Sequence, residues 1–104
     1  MAVAGSRVRL DLNSAEFQDV FFRLELVELR QVVASLRRLR ELDWDTVYQH
    51  AGFRWEAIRH LEAPNRAKVY SLRLSQKARA IAYRDGDFLR LISLHPGHDS
   101  AYGR

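Results

Sequence analysis

The spacing of apolar residues changes near Gly52, and this change sets the order of secondary structure along the chain. Residues 14–42 carry apolar side chains at helical spacing, three and four positions apart. From residue 53 onward, apolar and polar residues alternate in short runs, and Asp85-Gly86 is typical of a hairpin turn. Helices followed by strands predict an α+β fold, with the helices packed on one face of an antiparallel sheet.

The first half of the chain is predicted to contain an N-terminal strand and a helical hairpin. The alternation over Ser6–Leu12 predicts a strand with one buried face. Asn13 and Ser14 are N-cap candidates for a first helix, and a second helical pattern covers Glu25–Leu42. The second helix is expected to bury Leu29, Val32, Val33, Leu36 and Leu39. Because no glycine or proline marks the break near residues 23–25, one long kinked helix is the alternative; we favour the hairpin.

The second half is predicted to complete a three- to four-stranded antiparallel sheet. A short helix capped by Asp43 and ended by Gly52 is expected to come first. The strand patterns cover Phe53–Leu61, Ala67–Ser75, Ala78–Arg84 and Phe88–Leu94, and His95–Arg104 is expected to be a polar loop. The length suits a single domain over residues 1–104, since domains typically run to about 100–150 residues.

Composition excludes several classes of protein. The chain has no cysteine, which rules out a disulfide scaffold, a thiolate metal site and a cysteine nucleophile. Its apolar runs are far shorter than the ~20 residues that a membrane-spanning helix needs. Residues 1–6 lack the charged start and long apolar core of a signal peptide. These features predict a cytoplasmic domain that does not enter a membrane.

Positive charge is concentrated in the second half of the chain. Residues 1–52 hold seven arginines against eight carboxylates, whereas residues 53–104 hold ten Lys and Arg against five carboxylates. The formal net charge is +4. A basic excess of this kind suggests a polyanionic partner, although arginine-rich coding in a GC-rich genome would give the same count.

Strand alternation divides the side chains of the predicted sheet between two faces. Leu72, Leu74, Ala80 and Ala82 are assigned to the face beneath the helices. Arg73, Arg79 and Tyr83 then share the opposite face. Guanidinium groups hold phosphates and aromatic rings stack on bases, so this face is a candidate RNA platform. The alternative is a solvated face whose arginines pair with Glu56 or Asp87.

Three segments resemble the RelE/ParE superfamily of bacterial type II toxins. They are Tyr70–Tyr83, Arg84–Phe88 and Leu94–Tyr102. The superfamily pattern is two arginines six residues apart, a following hairpin and a short histidine/tyrosine tail. Trp55–Ile58 is similar to the segment that carries the glutamate of the YoeB branch. The element order predicted above also matches this fold.

The resemblance implies an mRNA interferase of the RelE/YoeB type, which cuts mRNA in the ribosomal A site and is held inactive by a cognate antitoxin. It implies no metal and no cofactor. Glu56 matches the general base, Arg79 the arginine held against the scissile phosphate, and Arg73 the arginine that supports it. In the tail, His98 matches the general acid and Tyr102 the residue that stacks on a base.

Four further residues are candidate RNA contacts, namely Lys68, Tyr83, Arg90 and His95. The tail holds two histidines and is longer than in the compact branch, so which of His95 and His98 is the acid stays open. A metal site built from His95, His98 and Asp99 fits no established ligand spacing.

Two other functions remain open at this point. One is a non-catalytic inhibitor that binds DNA gyrase, as in the ParE branch. The other is a degenerate toxin that only binds its antitoxin. Glu56 and the histidine tail favour the nuclease, because a gyrase binder has no need of an acid and a base beside an arginine.

Overall fold

The computed structural model describes residues 6–97, and it begins with a short strand, continues through three helices and ends in four strands. The helices and strands are β1 (Arg9–Asp11), α1 (Ala15–Phe21), α2 (Leu26–Glu41), α3 (Trp44–Gln49), β2 (Glu56–Glu62), β3 (Lys68–Arg73), β4 (Arg79–Asp85) and β5 (Phe88–His95). A single 3₁₀ turn, Ala51–Phe53, lies between α3 and β2. His98 and Tyr102 lie outside the described residues. The α+β prediction is confirmed.

The sheet of the described region has five strands in the order β1-β5-β4-β3-β2. Strands β2 to β5 pair antiparallel, as predicted, whereas β1 pairs parallel with β5. The N-terminal strand and four antiparallel strands agree with the prediction, and the structure adds that the N-terminal strand joins the same sheet in parallel with β5. A parallel pair needs a long crossover connection, and the three helices between β1 and β2 begin that connection. Local alternation carries no information on this pairing.

Helices α1 and α2 are separate, so the alternative of one kinked helix is wrong. Ser14 caps α1 by accepting a hydrogen bond from the Phe17 backbone N–H at 3.2 Å. The prediction that Val33 is buried is wrong, since it is 36% exposed. Ser35 is buried instead and donates its hydroxyl to the Leu74 carbonyl. The helix is therefore rotated so that Ser35, and not Val33, faces the end of β3.

The end of α3 also differs from the prediction. Asp43 caps the helix as expected, accepting from the Thr46 backbone N–H at 2.8 Å. The helix ends at Gln49 and not at Gly52, because the chain leaves it at His50 and enters the 3₁₀ turn. The His50 ring accepts a hydrogen bond from the Gly52 N–H at 3.1 Å, which stabilises this turn.

The core lies between the helices and one face of the sheet. Leu72, Leu74, Ala80 and Ala82 are at most 1% exposed, which confirms their assignment beneath the helices. They pack with apolar side chains of all three helices and of β5. None of the described helices is long and apolar enough to cross a membrane. The opposite sheet face carries no helix of the described region, and we refer to it as the open face.

Two strand boundaries differ from the prediction and change which residues belong to the strands of the open face. The strand predicted from Phe53 begins only at Glu56, and Phe53 is buried in the 3₁₀ turn. His95 belongs to β5 and not to the polar loop in which it was placed. It stays in the strand because its position is paired with Arg79 of β4.

Candidate functional site

Three side chains that can carry positive charge lie side by side across the open face. Arg73 of β3 is paired with Arg79 of β4, and Arg79 is paired with His95 of β5. Residues directly opposite in antiparallel strands point to the same face with Cβ atoms about 4.5–5.5 Å apart. We call Arg73, Arg79 and His95 the cationic row.

The two arginines of the cationic row differ in what holds them. Arg73 is half-buried and donates from Nε to the Ser75 carbonyl at 3.2 Å and from Nη2 to the Gln76 carbonyl at 3.4 Å. Its guanidinium is thereby fixed on the β3–β4 turn. Arg79 is exposed and has no hydrogen bond or ion pair to another residue of 6–97. Two cations opposite each other repel, so an anion placed between them would be stabilised.

Glu56 lies beside the cationic row at the edge of the sheet. It is paired with Ser71, which places it diagonal to Arg73 on the open face. Diagonal neighbours have Cβ atoms roughly 7–8 Å apart. Glu56 is exposed, and its carboxylate forms no ion pair with Arg73 or Arg79. The solvated face with arginines paired to Glu56 is therefore not what the described residues form.

His95 has its own polar partner. The ring Nε2 lies 3.0 Å from the Ser93 hydroxyl, which occupies the next position on the same face of β5. Ser93 is 9% exposed, so the His95 ring is held by a largely buried hydroxyl beside it. The site thus brings a carboxylate, two guanidiniums and an imidazole onto one surface. Such a set can take a proton, give a proton and stabilise a phosphate that gains negative charge.

The other candidate RNA contacts are distributed over the sheet. Tyr83 lies on the open face, where it is paired with Val69 and Arg90. Arg90 is bound by two carboxylates, Asp11 at 2.6 Å and Asp85 at 2.8 Å. These hydrogen bonds raise the pKa of Arg90 further above its ordinary range.

Lys68 lies apart from these residues. It is two positions from Tyr70, whose ring packs on Trp55 and Tyr48 at the helical side of the sheet. By strand alternation its side chain faces away from the cationic row. The structure therefore brings together Glu56, Arg73, Arg79 and His95, with Tyr83 and Arg90 farther along the same face.

The comparisons with known proteins point to one fold. No family model matches the sequence, and no curated protein matches it either. Among solved structures, the archaeal RelE–RelB complex from Pyrococcus horikoshii OT3 contains a chain that is 16% identical. The match covers 93% of this chain and 100% of that one, with a TM-score of 0.59. The fold is that of RelE.

On this RelE fold, two features of the site escaped the sequence analysis. One is Ser93 beside His95, and the other is the ion pair of Asp11 with Arg90. Alternation within β5 would place Ser93 and His95 together, but only if the strand is known to continue through His95. The Asp11–Arg90 pair joins residues 79 positions apart, and no local signal connects them.

Proposed function

We propose that this chain is the toxin of a type II toxin–antitoxin system and that it cleaves mRNA on the ribosome as an endoribonuclease. The observation that carries the proposal is the cationic row with Glu56 beside it, on a face that no helix of residues 6–97 covers. The reaction proposed needs no metal or cofactor, because these side chains and the tail supply the proton transfers and the positive charge.

In the proposed mechanism, Glu56 removes the proton from a ribose 2′-OH. The 2′-oxygen attacks the adjacent phosphorus, the bond from phosphorus to the 5′-oxygen breaks, and a 2′,3′-cyclic phosphate forms. Arg79, whose guanidinium has no partner within the described region, binds the phosphoryl oxygens as their charge grows. Arg73 supports it from the turn.

A histidine protonates the leaving 5′-oxygen. We assign this role to His98, with Tyr102 stacking on a base, as the superfamily resemblance implies. His95 contacts the RNA from the cationic row, where it lies opposite Arg79. Tyr83 and Arg90 are proposed as weaker RNA contacts on the same face, and Lys68, which faces away from it, is left out of the proposed site.

The proposed partners are a cognate antitoxin, the ribosome and mRNA. The similar solved structure is a complex of RelE with RelB, which supports a protein partner for this fold. The basic excess of residues 53–104 supports a nucleic-acid partner. The proposed site of action is the cytoplasm, where ribosomes translate mRNA.

Primer extension on a translated reporter mRNA tests the proposal. Expression of the wild-type chain should produce cuts in register with codons, and Arg79→Ala should remove them. Arg37→Ala, which deletes an equally exposed arginine on α2, should leave them in place. Growth arrest without cuts would favour the gyrase inhibitor, and neither arrest nor cuts would favour the degenerate toxin.

A further inference from the structure

A cleft of about 400 Å³ opens on the open face, at a distance from the cationic row. Tyr83 of β4 and Arg90 and Ile92 of β5 line it from the sheet. Asn13, in the β1–α1 connection, and Pro64, in the β2–β3 turn, line it from opposite edges of the sheet.

Both edges of the cleft are fixed by hydrogen bonds. The Ser14 hydroxyl donates to the Ile92 carbonyl at 2.6 Å, which holds the β1–α1 connection on β5. The Asn65 side chain donates to the Arg84 carbonyl at 3.3 Å, which holds the β2–β3 turn against β4. The cleft therefore exists before any ligand arrives, and a ligand would not have to order these segments.

The charges of the cleft do not suit a phosphate. Arg90 is the one cation among the described residues that line it, and Asp11 and Asp85 both bind that cation. Because two carboxylates already bind this one guanidinium, the described lining of the cleft offers no free cation to a phosphate. The cationic row differs, since two arginines and a histidine face one glutamate.

The remaining lining suits an uncharged planar group. Tyr83 supplies an aromatic ring, and Pro64 and Ile92 supply apolar walls. Arg90 uses Nε and Nη1 for its carboxylates, so Nη2 has no partner within residues 6–97. That group and the Asn13 amide can bind the polar edge of a heterocycle. Flat rings with polar edges are the features of a nucleobase.

The distance between Tyr83 and the cationic row indicates which nucleotide of a bound strand would supply the base. Tyr83 is four residues from Arg79 along β4, which corresponds to about 13 Å at the rise of a strand. Both side chains lie on the same face. A base does not reach that far from its own phosphate, whereas the base of a neighbouring nucleotide in a single strand does.

We propose that this cleft is a base-binding subsite, in which a nucleotide near the cleaved bond stacks on Tyr83 while its strand continues to Arg79. The inference rests on the proposed nuclease function and adds a second recognition point to it. The phosphate and the base are bound at separate ends of one face, so the strand acquires a fixed direction across the sheet.

Abasic scanning tests the subsite. The probes are short, labelled 2′-O-methyl oligoribonucleotides, which lack the attacking hydroxyl, with one abasic position moved stepwise along the strand. Fluorescence anisotropy should show binding to the wild-type chain weakened about tenfold at an abasic position distinct from the one stacked on Tyr102, since a stacked base is worth ~1–3 kcal/mol. Tyr83→Ala should weaken the intact probe equally and abolish the dependence at that position, whereas Tyr102→Ala should leave it in place.

Two control variants define the result. Tyr83→Phe keeps the ring and should bind the probes like the wild type. Tyr48→Ala removes a tyrosine on α3 that is 41% exposed and lies away from the open face, so it should leave probe binding and its position dependence unchanged. The subsite is overturned, even if mRNA is cleaved, if Tyr83→Ala leaves the dependence at every position unchanged or if the wild type shows no position dependence. A Tyr83-dependent position effect without any mRNA cleavage would keep the subsite and reject the nuclease.

Discussion

At the scale of single residues, the two arginines of the cationic row are expected to respond differently to substitution. Arg73 donates to two carbonyls of the β3–β4 turn, so Arg73→Ala should lower the free energy of unfolding by about 1 kcal/mol. Arg79 has no such partner in the described region, so Arg79→Ala should change it by less than about 0.5 kcal/mol. Urea unfolding measures both.

The effect on mRNA cleavage should follow the opposite order, with Arg79→Ala more harmful than Arg73→Ala. In the proposed reaction Arg79 contacts the phosphate in the transition state, so Arg79→Ala should slow mRNA cleavage by roughly 10²-fold or more. Arg73→Ala should slow it less, because its guanidinium is partly engaged by the turn. Equal cleavage by wild type and Arg79→Ala would remove Arg79 from the site.

A second pair of substitutions distinguishes the proposed roles of His95 and His98. If His98 is the acid, His98→Gln should slow cleavage by roughly 10²–10⁴-fold while ribosome binding is unchanged. His95→Gln should have a smaller effect and should act on RNA binding, since His95 lies opposite Arg79 and next to Ser93. Single-turnover cleavage and ribosome pelleting distinguish rate from binding. The reverse ranking would assign the acid to the strand histidine.

Sequence alone could place part of this site. Arg73, Arg79 and Tyr83 were assigned to one face because strand alternation is local and needs no knowledge of pairing. That Glu56 lies diagonal to Arg73 required the register of β2 against β3, which only the folded sheet supplies. The site residues of the tail, His98 and Tyr102, rest on the superfamily resemblance.

At the scale of elements, a partly buried ion pair between Asp11 and Arg90 joins β1 to β5, and no local sequence pattern predicts it. Asp11 accepts from the backbone N–H of Asn13 and from Arg90, and these bonds hold the pKa of Asp11 below its ordinary value of 3.8. Because the pKa is lowered in the folded state, the stabilisation is present above pH ~3.8 and is lost as pH falls through the folded value.

Asp11→Asn should therefore lower stability at neutral pH and lose less stability than the wild type as the solution is acidified below pH ~4. Urea unfolding at neutral and acidic pH measures this difference. Asp19→Asn is the matched control, since Asp19 is exposed on α1 and has no ion pair within the described region. An acid dependence in Asp11→Asn that equals the wild type would show that the Asp11–Arg90 bond adds no stability.

The helices show why element-level prediction succeeds only in part. Caps are local, and Ser14 and Asp43 start α1 and α3 as their sequence context indicates. The rotation of α2 is not local, because it depends on the surface beneath the helix. Ser35 is buried where its hydroxyl reaches the Leu74 carbonyl, and Val33 is turned toward solvent. A hydrophobicity pattern alone predicts the reverse, with Val33 buried and Ser35 exposed.

At the scale of the whole molecule, positive charge is concentrated in the half of the sequence that contains strands β2 to β5. The basic excess belongs to residues 53–104, which form the strands that build the open face. If the chain is the proposed toxin, its exposed basic site must be masked in a growing cell. We therefore expect an antitoxin with an acidic or amphipathic segment that covers the cationic row, and we expect electrostatic attraction to speed its association.

The association rate with such an antitoxin should fall steeply as salt rises from about 0.1 M to about 1 M, where the Debye length shrinks from about 10 Å to about 3 Å. The partner is obtained by co-purification with the product of a short neighbouring gene, and stopped-flow mixing measures the rate. Arg79→Ala should reduce both the rate and its salt dependence, whereas Arg37→Ala on α2 should reduce them less. An association rate independent of salt would mean that apolar contacts alone bind the partner. If the chain is expressed without growth arrest and no partner co-purifies, the proposed toxin function is contradicted.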